Sequence, residues 1–213
     1  MSPDLAYALS NAPGSARPAL EALWGLDAAF AHVLATVREP MIQRIRLAWW
    51  REALERLDRE PAPAEPVLQA VASHLIGKVS GVRLAALEQA WAPLTEQGAL
   101  QAEALAAYAG RGALLFEVAA EVLGAPKAAV EDAGELWALV DLARHSADPG
   151  EVAAALAAAG TRQPLRRWPR ALRPLGMIVV LARRDLARGP QHWEEPGIPP
   201  RTARMLRLKL TGW

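Results

Sequence analysis

The chain has 213 residues, 52% of them hydrophobic and 22% charged, a length suited to one substantial core rather than two. It has no cysteine, which excludes disulfides, thiolate metal sites and cysteine nucleophiles, and its four scattered histidines without HExxH spacing argue against a catalytic zinc centre. The net charge of +1 hides a segregation: residues 1–160 carry 12 Lys and Arg against 20 Asp and Glu (−8), and residues 161–213 carry 12 against 3 (+9).

Residues 1–18 are rich in Pro, Ser, Asn and Gly and predict a loose arm with one short turn at Leu5 to Leu9. They lack a basic start followed by an apolar stretch, so a cytoplasmic protein is expected. Apolar residues elsewhere fall in periodic patches, none reaching the roughly 18 uninterrupted positions of a spanning helix. A single helical domain is expected over 19–213, with 161–213 as its basic segment. Ala19 to Val37 predicts the first long helix, with Leu20, Leu23, Trp24, Phe30 and Val33 on its apolar side.

Met41 to Asp58 is the clearest amphipathic helix. Ile42, Ile45, Trp49, Ala53 and Leu57 recur at helical spacing, and Leu47, Trp50 and Leu54 widen the stripe. Pro40 suits its first turn. Adjacent side chains on a helix point about 100° apart, so Trp49 and Trp50 are expected to pack against two different neighbours. After the EPAPAEP turn, helices are predicted at Val67 to Ile76, Val82 to Trp91 and Ala99 to Ala109. Gly110 and Gly112 around Arg111 permit a tight break or a close helix approach, with the next helix starting near Ala113 and ending at Gly124. Ala128 to Arg144 and Glu151 to Ala159 follow. Trp168 to Arg188 is expected to be broken by Pro174, with Leu175 to Ala182 a buried helix or, less readily, a strand. A loop then leads to a basic helix at Arg201 to Leu210. The fold class is all-α, a multi-helix array joined by short loops.

The segment LWGLDAAFAHVLATVREPMIQRIRLAWWREALERL resembles the N-terminal third of the squalene/phytoene synthase-like family, whose bacterial members and complex I assembly branch carry a similar EPM-x4-RLxWWREAL block. Tyr108 to Phe116 resembles that family's YAxxxAxxxF-type helix, and GELWALVDLARHSAD, from Gly134, its GxxxQLTNxxRD helix. The resemblance extends to about Pro149. It implies a helical array of the isoprenoid (terpenoid) synthase type, shortened on its C-terminal side.

Active members of the family join two allylic diphosphates head to head. Carboxylates at i and i+4 on two facing helices hold Mg²⁺ against the leaving diphosphate. Against the first motif, DxxxD, this chain aligns Ala31 or His32 with the first acidic position and Ala35 with the last. Against the second, NxxRDxxxD, it aligns Asp141, then the matching Arg144, then His145 and Pro149 in place of the two aspartates. The resemblance therefore leaves Asp141, Arg144 and Asp148 as the candidate diphosphate-binding residues. His32 and His145, if facing, suggest a transition-metal site completed by Asp141, although hydrogen-bonded helical histidines are the simpler reading. Arg144 is expected to pair with Asp141 three residues earlier.

Two functions follow. One is a catalytically degenerate member that binds, with an isoprenoid-like lipid, a protein such as a respiratory-complex subunit, or an anionic surface of the inner membrane as partner, and no cofactor. The other is a prenyltransferase with atypical Mg²⁺ ligation. Trp168, Trp193 and Trp213 among Arg166, Arg167, Arg170, Arg201, Arg204 and Arg207 suit an interface with anionic lipid, or serve as ordinary core and clamp residues. No nucleic-acid-binding motif is present, and no nucleic acid is expected as partner.

Overall fold

The computed structural model describes residues 1–96, 100–126 and 128–213. Among these the architecture is all-α: eleven α-helices and three 3₁₀ turns, with no strand beyond an isolated bridge between Ile76 and Val79. None of the helices is long and apolar enough to cross a membrane. Proline explains much of the punctuation. It occupies the first or second position of α1 (Pro3–Ser10), α2 (Arg17–Thr36), α3 (Pro40–Arg56) and α4 (Pro66–His74), where a missing N–H leaves no intrahelical bond unmade. α9 (Pro149–Gly160), α10 (Arg173–Arg188) and α11 (Pro199–Thr211) start the same way. Pro174 therefore begins α10 instead of breaking it, and Trp168 lies before the helix. Leu175 to Ala182 is helical.

The helices gather into two compact units. Residues 15–107 form one. Here α2, α3 and α4 are joined by α5 (Gly81–Ala85) and α6 (Leu87–Trp91), two short helices separated at Ala86 where one was expected. Leu20, Leu23, Leu26, Phe30, Leu47 and Leu54 are fully buried. The two tryptophans of α3 divide differently from expectation. Trp50 is buried with its ring 6.0 Å from Phe30, whereas Trp49 is 42% exposed and touches Trp50 edge-on. Met41, Ile42 and Ile45 are exposed as well, so α3 buries the Leu47, Trp50, Leu54 side and leaves much of the expected stripe facing out. The buried Asp27 accepts a hydrogen bond from Trp91 Nε1 at 3.1 Å.

Residues 1–14 and 108–213 form the other unit. The N-terminal residues are a correction to the loose arm. Ser2 caps α1 by accepting the Leu5 N–H, and Asp4 is buried, accepting from Arg201 Nε at 2.7 Å and the Gly197 N–H at 2.9 Å. A local composition rich in turn formers cannot reveal a partner nearly two hundred residues away.

α7 (Ala102–Val122) also departs from expectation. It runs without interruption through Gly110 and Gly112, and the expected start at Ala99 lies outside the described residues. Gly112 is needed for close approach, not for a break. A Cβ built there would lie 2.0 Å from the carbonyl oxygen of Gly134 on α8 (Glu131–His145), and one on Gly134 would lie 2.1 Å from that of Gly112. α10 is the central helix of this unit and contacts α1, α8, α9 and α11.

Candidate functional site

The second motif falls on the last turns of α8 and the start of α9, and its residues separate onto different faces. Asp141 turns toward α7, where its Oδ2 accepts from the Tyr108 hydroxyl at 3.2 Å and from Arg111 Nη2 at 3.4 Å. Arg111 is buried, its guanidinium 4.4 Å from the centroid of the Tyr108 ring and 5.0 Å from that of Trp137. Stacking between two aromatic faces compensates part of the desolvation of this cation, and the carboxylate supplies the counter-charge.

Arg144 does not pair with Asp141. It points toward α10, donating to Asp185 Oδ2 at 3.0 Å and to the backbone carbonyl of Glu194 at 3.0 Å, with its guanidinium 5.3 Å from the Trp193 ring centroid. Three residues advance a helix by about 300°, near enough to share a face, but each side chain here finds a nearer buried partner on a different neighbouring helix. His145 is largely exposed and keeps its Nδ1 within 2.8 Å of the Asp141 carbonyl and 3.5 Å of Asp141 Oδ1. Asp148 is the N-cap of α9, accepting the Glu151 N–H at 2.8 Å.

The first-motif positions lie in the other unit. His32 and Ala35 are both exposed on α2, and the Thr36 hydroxyl donates to the His32 carbonyl at 2.7 Å. His32 and His145 belong to different units. Among the described residues, no three or more histidine, aspartate or glutamate side chains gather in a way that could hold a metal ion. The candidate residues thus comprise one carboxylate engaged by an arginine and a tyrosine, one helix cap, and one arginine held by a different aspartate.

Beside them lies a buried ionic network that the sequence reading did not single out. Asp185, on α10, accepts from Arg201 Nη1 at 2.6 Å through Oδ1 and from Arg144 through Oδ2, and Arg201 also holds Asp4. For Arg201, burial acts to lower the pKa, but the hydrogen bonds it donates to Asp185 and Asp4, together with the attraction of the two carboxylates, outweigh it and hold the guanidinium above its ordinary value. The sequence signal was an aspartate and an arginine inside otherwise apolar helical faces. Trp193 belongs here too. Its Nε1 donates to the Asp185 carbonyl at 2.9 Å, which makes it a clamp over the network rather than an interfacial residue.

The rim of this network is Glu194. Arg184 donates to it through Nε at 2.7 Å and Nη2 at 2.6 Å, and Arg188 lies 3.2 Å away. The Arg184 hydrogen bonds hold the Glu194 carboxyl below its ordinary value of 4.5, against a smaller opposing effect of burial. A carboxylate depressed in the folded state adds stability that is complete above the unfolded value and lost as the pH falls through the folded one. Wild-type protein is therefore expected to lose stability faster than Glu194→Gln as the pH drops below about 4.5. Denaturation midpoints of both proteins across the acid range check this; parallel curves would remove Glu194 from the account.

Comparison of the chain with models of known families, with curated proteins and with solved structures finds no match in any of the three.

Proposed function

We propose that this chain is a non-catalytic protein of the squalene/phytoene synthase-like kind, with a shortened helical array of the isoprenoid synthase type, that acts by binding. Its partner is membrane-associated: an isoprenoid-like lipid, or a protein such as a respiratory-complex subunit at the inner membrane. The sequence supports the family through the EPM-x4-RLxWWREAL block and the α8 segment from Gly134. One observation carries the loss of catalysis. The two carboxylates nearest the second motif already have structural duties, Asp141 against Arg111 and Tyr108, and Asp148 as the cap of α9. Diphosphate ionisation needs carboxylates that share a face and hold Mg²⁺ between them, and a carboxylate that turns toward a buried arginine is poorly placed for that task.

Diphosphate release from farnesyl and geranylgeranyl diphosphate, with and without Mg²⁺, tests the reading. Release is expected to stay at background in the wild type and in Asp141→Asn alike. Release that requires Mg²⁺ and disappears in Asp141→Asn, with the variant still folded, would make the protein a prenyltransferase with rebuilt metal ligation. Asp141→Ala is expected to lower stability by about 1–3 kcal/mol, because the buried Arg111 loses a charge-assisted hydrogen bond.

A further inference from the structure

The basic segment 161–213 does not spread its charge evenly. Of its three acids, Asp185 and Glu194 are engaged by arginines within the fold. Arg201 is buried and belongs to the same network, and Arg184 is half-buried against Glu194. Five of the cations exposed at the surface collect at one end, while Arg183, Arg188 and Arg204 are exposed elsewhere on α10 and α11. Arg166, Arg167 and Arg170 are exposed on the loop before α10, and Arg207 and Lys209 are exposed on the last turns of α11.

Loop and helix end are tied together. The Trp168 N–H donates to the Gly212 carbonyl at 2.8 Å, Arg173 Nη1 donates to the Lys209 carbonyl at 2.6 Å, and the Arg167 guanidinium stands 5.7 Å from the centroid of the Trp213 ring. Between these cations runs an apolar band: Leu206, Leu210 and Trp213 are 42%, 69% and 59% exposed. At about 100° per residue, Lys209 falls about 60° to one side of Leu206 and Arg207 about 60° beyond Leu210 on the other, so cations flank the band on both sides. Of the three tryptophans in the segment, Trp168 is buried and Trp193 is held in the ionic network, which leaves Trp213 at this surface.

We propose that this face seats on an anionic lipid bilayer, with Leu206, Leu210 and Trp213 entering the headgroup boundary and the flanking arginines and Lys209 meeting lipid phosphates. Charge complementarity selects a polyanionic surface, and the apolar band selects one with hydrocarbon beneath its charges. Isobutyl groups and an indole partition into a bilayer interface and have no comparable place on a phosphate backbone. The inference deepens the partner half of the function proposed above and rests on its reading as a binding protein.

Sedimentation of the full chain with vesicles tests it, using phosphatidylcholine alone and phosphatidylcholine containing phosphatidylglycerol. Binding is expected only to the anionic vesicles and to weaken as salt is raised. Substituting Arg166→Gln, Arg167→Gln and Arg170→Gln together is expected to reduce partitioning by about tenfold or more. Leu210→Asp is expected to reduce it comparably while leaving the thermal midpoint in place, since the side chain is exposed. Absence of binding by folded protein, or undiminished binding by both variants, overturns the proposal. Salt-sensitive binding to duplex DNA that survives Leu210→Asp overturns it as well, reassigning the face to a bare polyanion. Vesicle binding together with Mg²⁺-dependent diphosphate release would instead leave the face standing and remove the non-catalytic reading.

Discussion

Asp185→Ala is expected to cost about 3–5 kcal/mol of stability, the range for stripping one partner from a buried ion pair. Asp185 is 1% exposed and stands between two guanidinium groups, Arg201 at 2.6 Å and Arg144 at 3.0 Å. Alanine there leaves both cations facing an emptied pocket with the aspartate's negative charge gone, while Asp4 alone continues to balance Arg201. The loss reaches four elements, because the network ties α1, α8, α10 and α11 together. Asp185→Asn keeps the shape and one acceptor oxygen but not the charge, and is expected to fall between wild type and alanine. The double variant Asp185→Leu with Arg201→Met is expected to recover little of the loss, since it removes one pair of the network but leaves the buried Asp4 without Arg201 and Arg144 without Asp185. Denaturant midpoints of the four proteins decide the matter. A shift for Asp185→Ala below about 1 kcal/mol, the scale of an exposed pair, would mean that the network contributes little.

This network marks the limit of what the sequence makes legible. Helical period, proline placement and the absence of alternation were enough to read an all-α chain and to place most of its helices within a few residues. Which side of each helix is buried was harder. On α3, apolar residues occupy most of the circumference, and only the position of Phe30 makes Trp50 a core residue and Trp49 a surface one. The candidate site fared similarly. The motif comparison placed Asp141, Arg144 and His145 together on one helix, but the buried partners of Asp141 and Arg144 are Arg111 and Asp185, 30 and 41 positions away. Local rules such as i,i+3 pairing describe exposed helices well. A half-buried charge answers to whichever opposite charge the tertiary fold brings close, and that choice leaves no periodic trace. The same holds for α1, whose one buried acid pairs with Arg201.

Gly112→Ala and Gly110→Ala, two positions apart on α7, are expected to shift stability in opposite directions. A Cβ at Gly112 would meet the Gly134 carbonyl oxygen at 2.0 Å, its carbon at 2.6 Å and the Ala138 Cβ at 2.7 Å. The first two contacts are backbone and cannot rotate away, so α7 and α8 have to move apart, at an expected cost of about 3 kcal/mol or more. At Gly110 nothing lies within 4 Å of a new Cβ and the residue is exposed, so alanine only removes the entropic penalty of a helical glycine. There a gain of up to about 1 kcal/mol is expected. The contrast separates a packing effect from a propensity effect within one helix. Denaturant midpoints of the two variants measure it, and equal shifts would show that the contact between Gly112 and Gly134 does not constrain the fold. The same separation would draw Tyr108 and Arg111 away from Asp141, since those residues lie on the two helices that the glycines bring together. Gly112→Ala is accordingly expected to loosen the polar cluster at the second motif, read as faster amide exchange along the last turns of α8. Gly110→Ala leaves that exchange unchanged.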